Sequence, residues 1–390
     1  MGKQEDHALL SPSGAERWIN CPGSIALSSE IPARGDTVYT EEGTTAHALA
    51  QLKLQLQNKE ITKRTYNSAH KRIEASEFYS GEMEEATDLY TEMVWERFAA
   101  AGKGAGLSIE QRLQLGKWAK GSFGTSDAVI NGDDLLEVID LKYGKGVRVH
   151  AENNPQLRLY ALGAVDLFSS LFTIKTVRMT IIQPRLDHVS TEEMSLEDLT
   201  AWGDEVVKPA AAEALRSDAH TAAGEWCRWC PAKAICRKRA EANLELAKYE
   251  FKKPGTLSND EIGEILVRSD ELQRWAADVA AYALQQALAG EKIDGWKLVE
   301  GRAVRKWADD LKVAEALQAA GYDEALLYER KLYGITAMEK LVGKKKLTET
   351  LGDLIIKPAG KPVLVPETDK REEINTTEAA RADFAEGGEA

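Results

Sequence analysis

The spacing of apolar residues changes along the chain, and each change marks an element. Residues 11–20 predict a short capped helix that ends at Cys21. Residues 44–56, opened by Gly43-Thr44, and residues 82–101 carry apolar positions at helical spacing. The period then drops to two. Residues 107–115 alternate, 123–130 follow a Lys-Gly-rich turn, and 135–143 follow Asn131-Gly132-Asp133-Asp134. Asn-Gly between two apolar runs signals a hairpin, so three consecutive strands predict an antiparallel meander. Residues 154–168 return to helical spacing, and the β-branched run 173–183 predicts a buried strand. Helices are expected over 195–217 and 231–249. This order predicts an α/β domain, one mixed sheet with helices on its faces. Lys252-Lys253-Pro254-Gly255 marks a boundary. Beyond it come a helix over 259–289, a hairpin around Gly301 and a helical stretch from Asp309. No internal repeat is present.

Composition narrows the class. In 390 residues, 43% hydrophobic content can fill a core. No apolar run approaches the roughly 20 residues needed to cross a bilayer. The first residues, Met1 to His7, lack an apolar signal core. A cytosolic protein with no membrane partner is therefore expected. The net charge of −13 argues against a protein that coats nucleic acid non-specifically, though not against an enzyme with a local basic groove. After Pro366 there are eight acidic and three basic residues with few apolar ones, which predicts a disordered acidic tail over 366–390.

The four cysteines carry the first chemical signal. Cys21 stands alone near the start, and Cys227, Cys230 and Cys236 form one CxxC-x5-C run roughly two hundred positions later. Disulfides are uncommon in cytosol, so four clustered thiolates point to a bound metal, either structural zinc or a [4Fe–4S] cluster. The 1+3 split fits zinc less well, because zinc sites usually draw on two close pairs. The second signal lies in the hairpin. Asp127 falls on its first strand, and Asp140-Leu141-Lys142 on its second. Residues two apart share a strand face, so Asp140 and Lys142 point together while Leu141 turns into the core. Two carboxylates and the Leu141 backbone carbonyl form an oxygen nest suited to Mg²⁺ or Mn²⁺. A neighbouring ammonium can orient water and stabilise charge on a phosphate. A solvated charged face is the bland alternative. On the following helix, Gln156 and Tyr160 share a face and either contact a DNA phosphate or serve as a polar first turn and a core tyrosine. His47 sits in an Ala/Leu helix, as a satisfied boundary residue or as the side-chain ligand the nest lacks. There is no P-loop, Gly-x-Ser-x-Gly or Rossmann fingerprint.

In their order, Cys21, His47, Gly124-x-x-Asp127, Asp140-x-Lys142, Gln156-x-x-x-Tyr160 and Cys227-x-x-Cys230-x5-Cys236 resemble the RecB-like branch of the PD-(D/E)XK nucleases. The iron–sulfur subgroup that includes the AddB nuclease domain and CRISPR-associated adaptation exonucleases looks closest, and the whole chain is similar to an uncharacterised phage and prophage family. The resemblance spans roughly residues 8–245. It implies a restriction-endonuclease-like α/β core over 1–250, with a mainly helical accessory region over 251–365. It implies divalent metal on His47, Asp127 and Asp140, with Glu110 as a further acidic candidate, and Lys142 as the catalytic lysine. Gln156 and Tyr160 would contact DNA, and the four cysteines would hold [4Fe–4S]. The implied activity is a DNA exonuclease of phage recombination or replication. A sequence- or structure-specific endonuclease and a non-catalytic DNA-binding scaffold are the rivals. DNA, linear duplex or single strand, is the implied partner. A single-strand-binding or annealing protein, or a second subunit, would join it. The basic stretch 296–307, with Trp296 and Trp307, and Lys344-Lys345-Lys346 either contact DNA or form charged outer faces.

Overall fold

The computed structural model describes residues 8–29, 31, 37–132, 134–245, 258–297, 299, 310–320, 327, 338, 343–351 and 354–355. The boundary at 252–255, the hairpin around Gly301, the stretch 300–307 and the tail 366–390 lie outside these residues, as do the Lys344 and Lys345 side chains. The chain divides into two compact units, Met1–Gln286 and Ala287–Ala390. Described elements of the second are two short helices, α11 (Asp310–Ala319) and α12 (Lys344–Leu351).

The first unit is a mixed α/β fold. Its five-stranded sheet runs β1 (Gly106–Gln114), β2 (Phe123–Asn131), β3 (Asp134–Leu141), β4 (Ile174–Gln183) and β5 (His188–Ser195), in that spatial order. The first three pair antiparallel, as the meander predicts; β4 lies parallel to β3, and β5 antiparallel to β4. A parallel neighbour needs a crossover, and α6 (Pro155–Phe168) supplies it. Proline at its first turn and Asn154, whose Oδ1 accepts from the Leu157 N–H at 3.2 Å, fix its start. β5 is absent from the sequence-based expectation because its pattern alternates half-buried and exposed positions without a strong apolar run.

Period-two alternation splits the core between two faces. Leu136 and Val138 of β3 pack under α6 together with Trp18 of α1 (Ala15–Asn20) and Leu199 of α7 (Leu196–Trp202). Ile139 and Leu141 pack on the opposite face, with Leu54 of α3 (Val38–Gln57) and Tyr90 of α5 (Gly81–Ala100). α3 begins six residues before the predicted start, because Thr37 caps it: Thr37 Oγ1 accepts from the Thr40 N–H at 3.2 Å. α2 (Ser24–Ser29) and α4 (Lys63–Glu74) are additional to the predicted helices.

Two predicted helices are corrected. The helical stretch expected over 195–217 starts as α7, widens to a π-turn at Gly203–Val207 and resumes as α8 (Lys208–Ala214). Pro209 has no N–H to give its α-helical partner, and the looser turn absorbs the gap. The helix expected from Pro231 starts only at Arg237, as α9 (Arg237–Leu244), because residues 231–235 turn to bring Cys230 and Cys236 round. The long α10 (Asn259–Leu288) matches its expectation. Arg239, which is 1% exposed, donates to Glu271 Oε1 at 2.6 Å and Asp278 Oδ2 at 2.7 Å and so ties α9 to α10.

One glycine shapes the site directly. A Cβ at Gly124 would stand 2.7 Å from Pro12 Cγ and 2.8 Å from Tyr160 Cε1, two rings with little room to move. Gly124→Ala is expected to destabilise the fold by about 1–3 kcal/mol, the usual effect of overpacking. Urea unfolding measures it, and an unchanged midpoint would refute the close packing.

Candidate metal centre and cysteine clasp

β2 and β3 pair from Asn131↔Leu136 to Ala128↔Ile139 and part beyond that point. The register sets Asp127 opposite Asp140. Where the ladder stops, the Asp127 side chain takes its place: Oδ2 accepts the Leu141 N–H at 2.7 Å. The other oxygen, Oδ1, lies 3.2 Å from Nδ1 of His47 on α3. Across from Asp127 on β1 stands Glu110. Pairing continues on both sides of it, at Ile109↔Ala128 and Gln111↔Ser126, but skips it. Its backbone is left-handed, with φ of +49°. That conformation costs a non-glycine residue of order 1–3 kcal/mol and gathers at functional sites. The result is one ligand atom each from His47, Glu110 and Asp127, all within 4.8 Å of one another.

Asp140 turns to the α6 side. Its Oδ2 lies 2.9 Å from Lys142 Nζ, and its Oδ1 accepts from Gln156 Nε2 at 3.3 Å. Lys142 Nζ also donates to Gln156 Oε1 at 3.1 Å, and Gln156 Nε2 reaches Tyr160 Oη at 3.3 Å. Gln156 therefore sits between the acid, the base and the phenol. Leu141 lines the hollow beside His47, Glu110 and Asp127, as do Gln51 and Tyr90. Every predicted site residue of the hairpin and of α6 thus joins one of two adjoining groups. Asp140 belongs with Lys142 and Gln156, and Glu110 completes the trio with His47 and Asp127.

The charges interact strongly. Burial disfavours protonated His47, but the Asp127 carboxylate outweighs it and moves the imidazole up to about 9. Burial, then the Asp127 charge, pushes Glu110 up to about 7. Burial also works against ionised Asp127, yet His47 holds it below the usual carboxylate range. Asp140 rises, chiefly by burial, with Lys142 opposing and Asp127 adding to the rise. Lys142 is driven up by Asp140 against the effect of burial. Burial and then the Asp140 charge keep the Tyr160 phenol protonated.

An imidazole and two carboxylates form a donor set suited to Mn²⁺ or Mg²⁺. Two further observations fit a cation here. Three acidic groups share the site with one lysine, and the buried Tyr90 Oη has no hydrogen-bond partner among the described residues. Sequence reasoning missed Tyr90, which sits among the core positions of α5, and Gln51, one helical turn beyond His47 on α3.

The cysteines form a second group. None is in a disulfide; Cys21, Cys227 and Cys230 are buried and Cys236 is half-buried. The Ala222 N–H donates to Cys21 Sγ at 3.3 Å, and the Gly224 N–H to Cys227 Sγ at 3.5 Å. The Gly23 N–H bonds the His220 carbonyl at 2.8 Å. Burial raises the Cys21 and Cys227 thiols, and the Cys230 and Cys236 sulfurs raise them further, so all four share one neighbourhood.

A family model described as "Protein of unknown function (DUF2800)" matches residues 7–372, and the chain belongs to that family. Among solved structures, one described as "Crystal structure of SSO0001" is similar at 16% identity and a TM-score of 0.24, covering 57% of this chain and 96% of its own.

The metal assignment predicts a direct effect. Mn²⁺ at about a hundred times its dissociation constant should stabilise the parent by about 2.7 kcal/mol. Asp127→Asn and Glu110→Gln should lose more than half of that shift, read by thermal unfolding across a MnCl₂ titration. Equal shifts in all three proteins would remove the assignment.

Proposed function

We propose that this protein is a metal-dependent deoxyribonuclease that hydrolyses phosphodiester bonds at DNA ends, in phage recombination or replication. The observation that carries the reading is the convergence of His47, Glu110 and Asp127 beside the Asp140–Lys142–Gln156–Tyr160 group where β2 and β3 part. His47, Glu110 and Asp127 would hold Mg²⁺ or Mn²⁺, with Asp140 adjoining. When bound, the cation supplies an acidified water and neutralises charge on the phosphate. Lys142, kept protonated by Asp140, donates to a non-bridging oxygen or to the attacking water. Gln156 fixes that ammonium in place, and Tyr160 donates as a neutral phenol. The choice of exonuclease, the phage setting and a single-strand-binding or annealing partner rest on the family resemblance.

The cysteine clasp is read as a [4Fe–4S] site. A zinc tetrahedron with Zn–S bonds of about 2.3 Å holds its sulfurs about 3.8 Å apart. The choice of the cluster over zinc rests on the 1+3 spacing of the cysteines and on the family resemblance. A cubane spreads its four thiolates more widely, because each caps a different iron. The cluster is structural in this reading: it closes a very long loop between α1 and the residues before α9.

Two measurements follow. Asp140→Ala and Lys142→Ala should each slow Mn²⁺-dependent degradation of end-labelled linear DNA by about 10²–10³-fold. Undiminished degradation by both would sink the active site, and cutting of covalently closed circles would reassign the enzyme as an endonuclease. Anaerobically prepared protein should be brown and contain iron and sulfide in equal amounts. A colourless sample with one zinc per chain would reject the cluster and leave the nuclease reading intact.

A further inference from the structure

Among the described elements of the first unit, α4 carries the largest net positive charge, and apolar spacing alone does not reveal it. Its inner face is formed by Tyr66, Ala69, His70 and Ile73, at spacings of three and four, and Tyr66, His70 and Ile73 pack toward α3 and α5. The Tyr66 and His70 rings stack with centroids 5.4 Å apart, and His70 Nε2 lies 3.2 Å from Glu84 on α5. Arg64 and Lys71 lie on the opposite face, Lys63 and Arg72 flank the inner face on either side, and all four are exposed. Each of the four lacks an acidic ion-pair partner among the described residues, in a chain whose net charge is −13.

Two of these cations also sit where local helix energetics disfavour them. Lys63 and Arg64 occupy the first turn of α4, which contains no acidic residue. Positive charge there opposes the helix dipole, typically at 0.3–1 kcal/mol for an exposed group, whereas Lys71 and Arg72 in the last turn comply with it. Location adds the third observation. A hollow of about 470 Å³ between α3 and α4 is lined by Arg72 and Gln51, among others. Gln51 also lines the hollow that holds His47, Glu110 and Asp127. Gln51 thus borders both the hollow beside Arg72 and the candidate metal centre.

We propose that the outer face of α4 binds the phosphate backbone of the DNA substrate and leads it to the candidate metal centre; this deepens, and rests on, the nuclease reading above. Exposed Lys and Arg on one rigid helix recognise phosphate charge without reading sequence. Local positive charge also solves a problem set by the acidic chain, which would otherwise repel a polyanion.

The test is DNA binding in EDTA, where no cleavage occurs, read as anisotropy of a labelled linear duplex and of a labelled single strand across a salt series. In the variant Lys63→Gln/Arg64→Gln/Lys71→Gln/Arg72→Gln, affinity near 0.1 M salt should fall about tenfold or more. The slope of log affinity against log salt should shrink by about one for each phosphate the variant no longer neutralises. The charge-conserving variant Lys63→Arg/Arg64→Lys/Lys71→Arg/Arg72→Lys should bind like the parent. An unchanged affinity and slope in the glutamine variant would overturn the inference, while continued cleavage by the parent keeps the nuclease reading. Weakened binding by the charge-conserving variant would overturn it too, since charge would not be what matters. A parent that neither binds nor cuts DNA would overturn both.

Discussion

The site depends on one hydrogen bond, from the Leu141 N–H to the Asp127 carboxylate. A buried backbone donor has to find a partner. On one side β3 stays zipped to β4, with the Lys142 N–H donating to the Ile182 carbonyl at 2.9 Å. On the other side β2 has left, and without the Asp127 Oδ2 the Leu141 donor would be orphaned at the edge of the core. A side chain that completes a broken ladder cannot swing away. This leaves Asp127 Oδ1 fixed toward His47, and it opens the wedge into which Glu110 and Asp140 project from either side.

That wedge concentrates negative charge, and the surrounding structure shows how far the chain compensates it. Lys142 answers Asp140, and His47 answers Asp127, while Glu110 meets mainly burial and the Asp127 charge and rises toward neutrality. The contrast with another buried acid is informative. Glu137, 2% exposed on β3, receives Arg97 at 2.9 Å and Thr180 Oγ1 at 2.7 Å, and so is fully answered by protein. A carboxylate that only holds a fold together is neutralised in this way. At the wedge one acid, Glu110, is left without such an answer, and an uncompensated carboxylate beside Asp127 is a condition that favours a divalent cation.

Legibility in the sequence followed the strength of local rules. The three-strand meander was readable because Asn131-Gly132 and strict alternation both pointed to it, and Asp140 and Lys142 were placed by the two-residue period alone. Gln156 and Tyr160 needed only helical spacing. His47 and Glu110 were another matter. His47 comes to Asp127 from a helix eighty positions away, and nothing local says which strand α3 will cover. Glu110 looks like an ordinary member of an alternating strand, and its left-handed backbone is imposed by tertiary packing. α4 gives a weak signal because its inner face is only four residues wide, and β5 because an edge strand with one wet face carries a weak pattern. The turn at 231–235 resembles helix in sequence since Ala-Lys-Ala-Ile favours one; the geometry of the cysteines overrides that propensity.

The cysteine group and the candidate metal centre are mechanically connected, although their chemistries differ. The segment that delivers Cys21 begins at Ser11-Pro12, and Trp18, fully buried, bonds the Ser11 carbonyl through Nε1 at 3.0 Å. Pro12 then presses on the strand at Gly124, against the same backbone surface that Tyr160 covers. Tyr160 in turn touches Gln156, which holds Lys142 and Asp140. A clasp that fixes Cys21 against Ala222 therefore also fixes the floor beneath the Asp140–Lys142–Gln156 group, through rings packed closely on a glycine. The cysteine clasp and the candidate metal centre are thereby one mechanical unit, and in the proposed reading the long separation between Cys21 and the other three cysteines staples the segment that braces the candidate site.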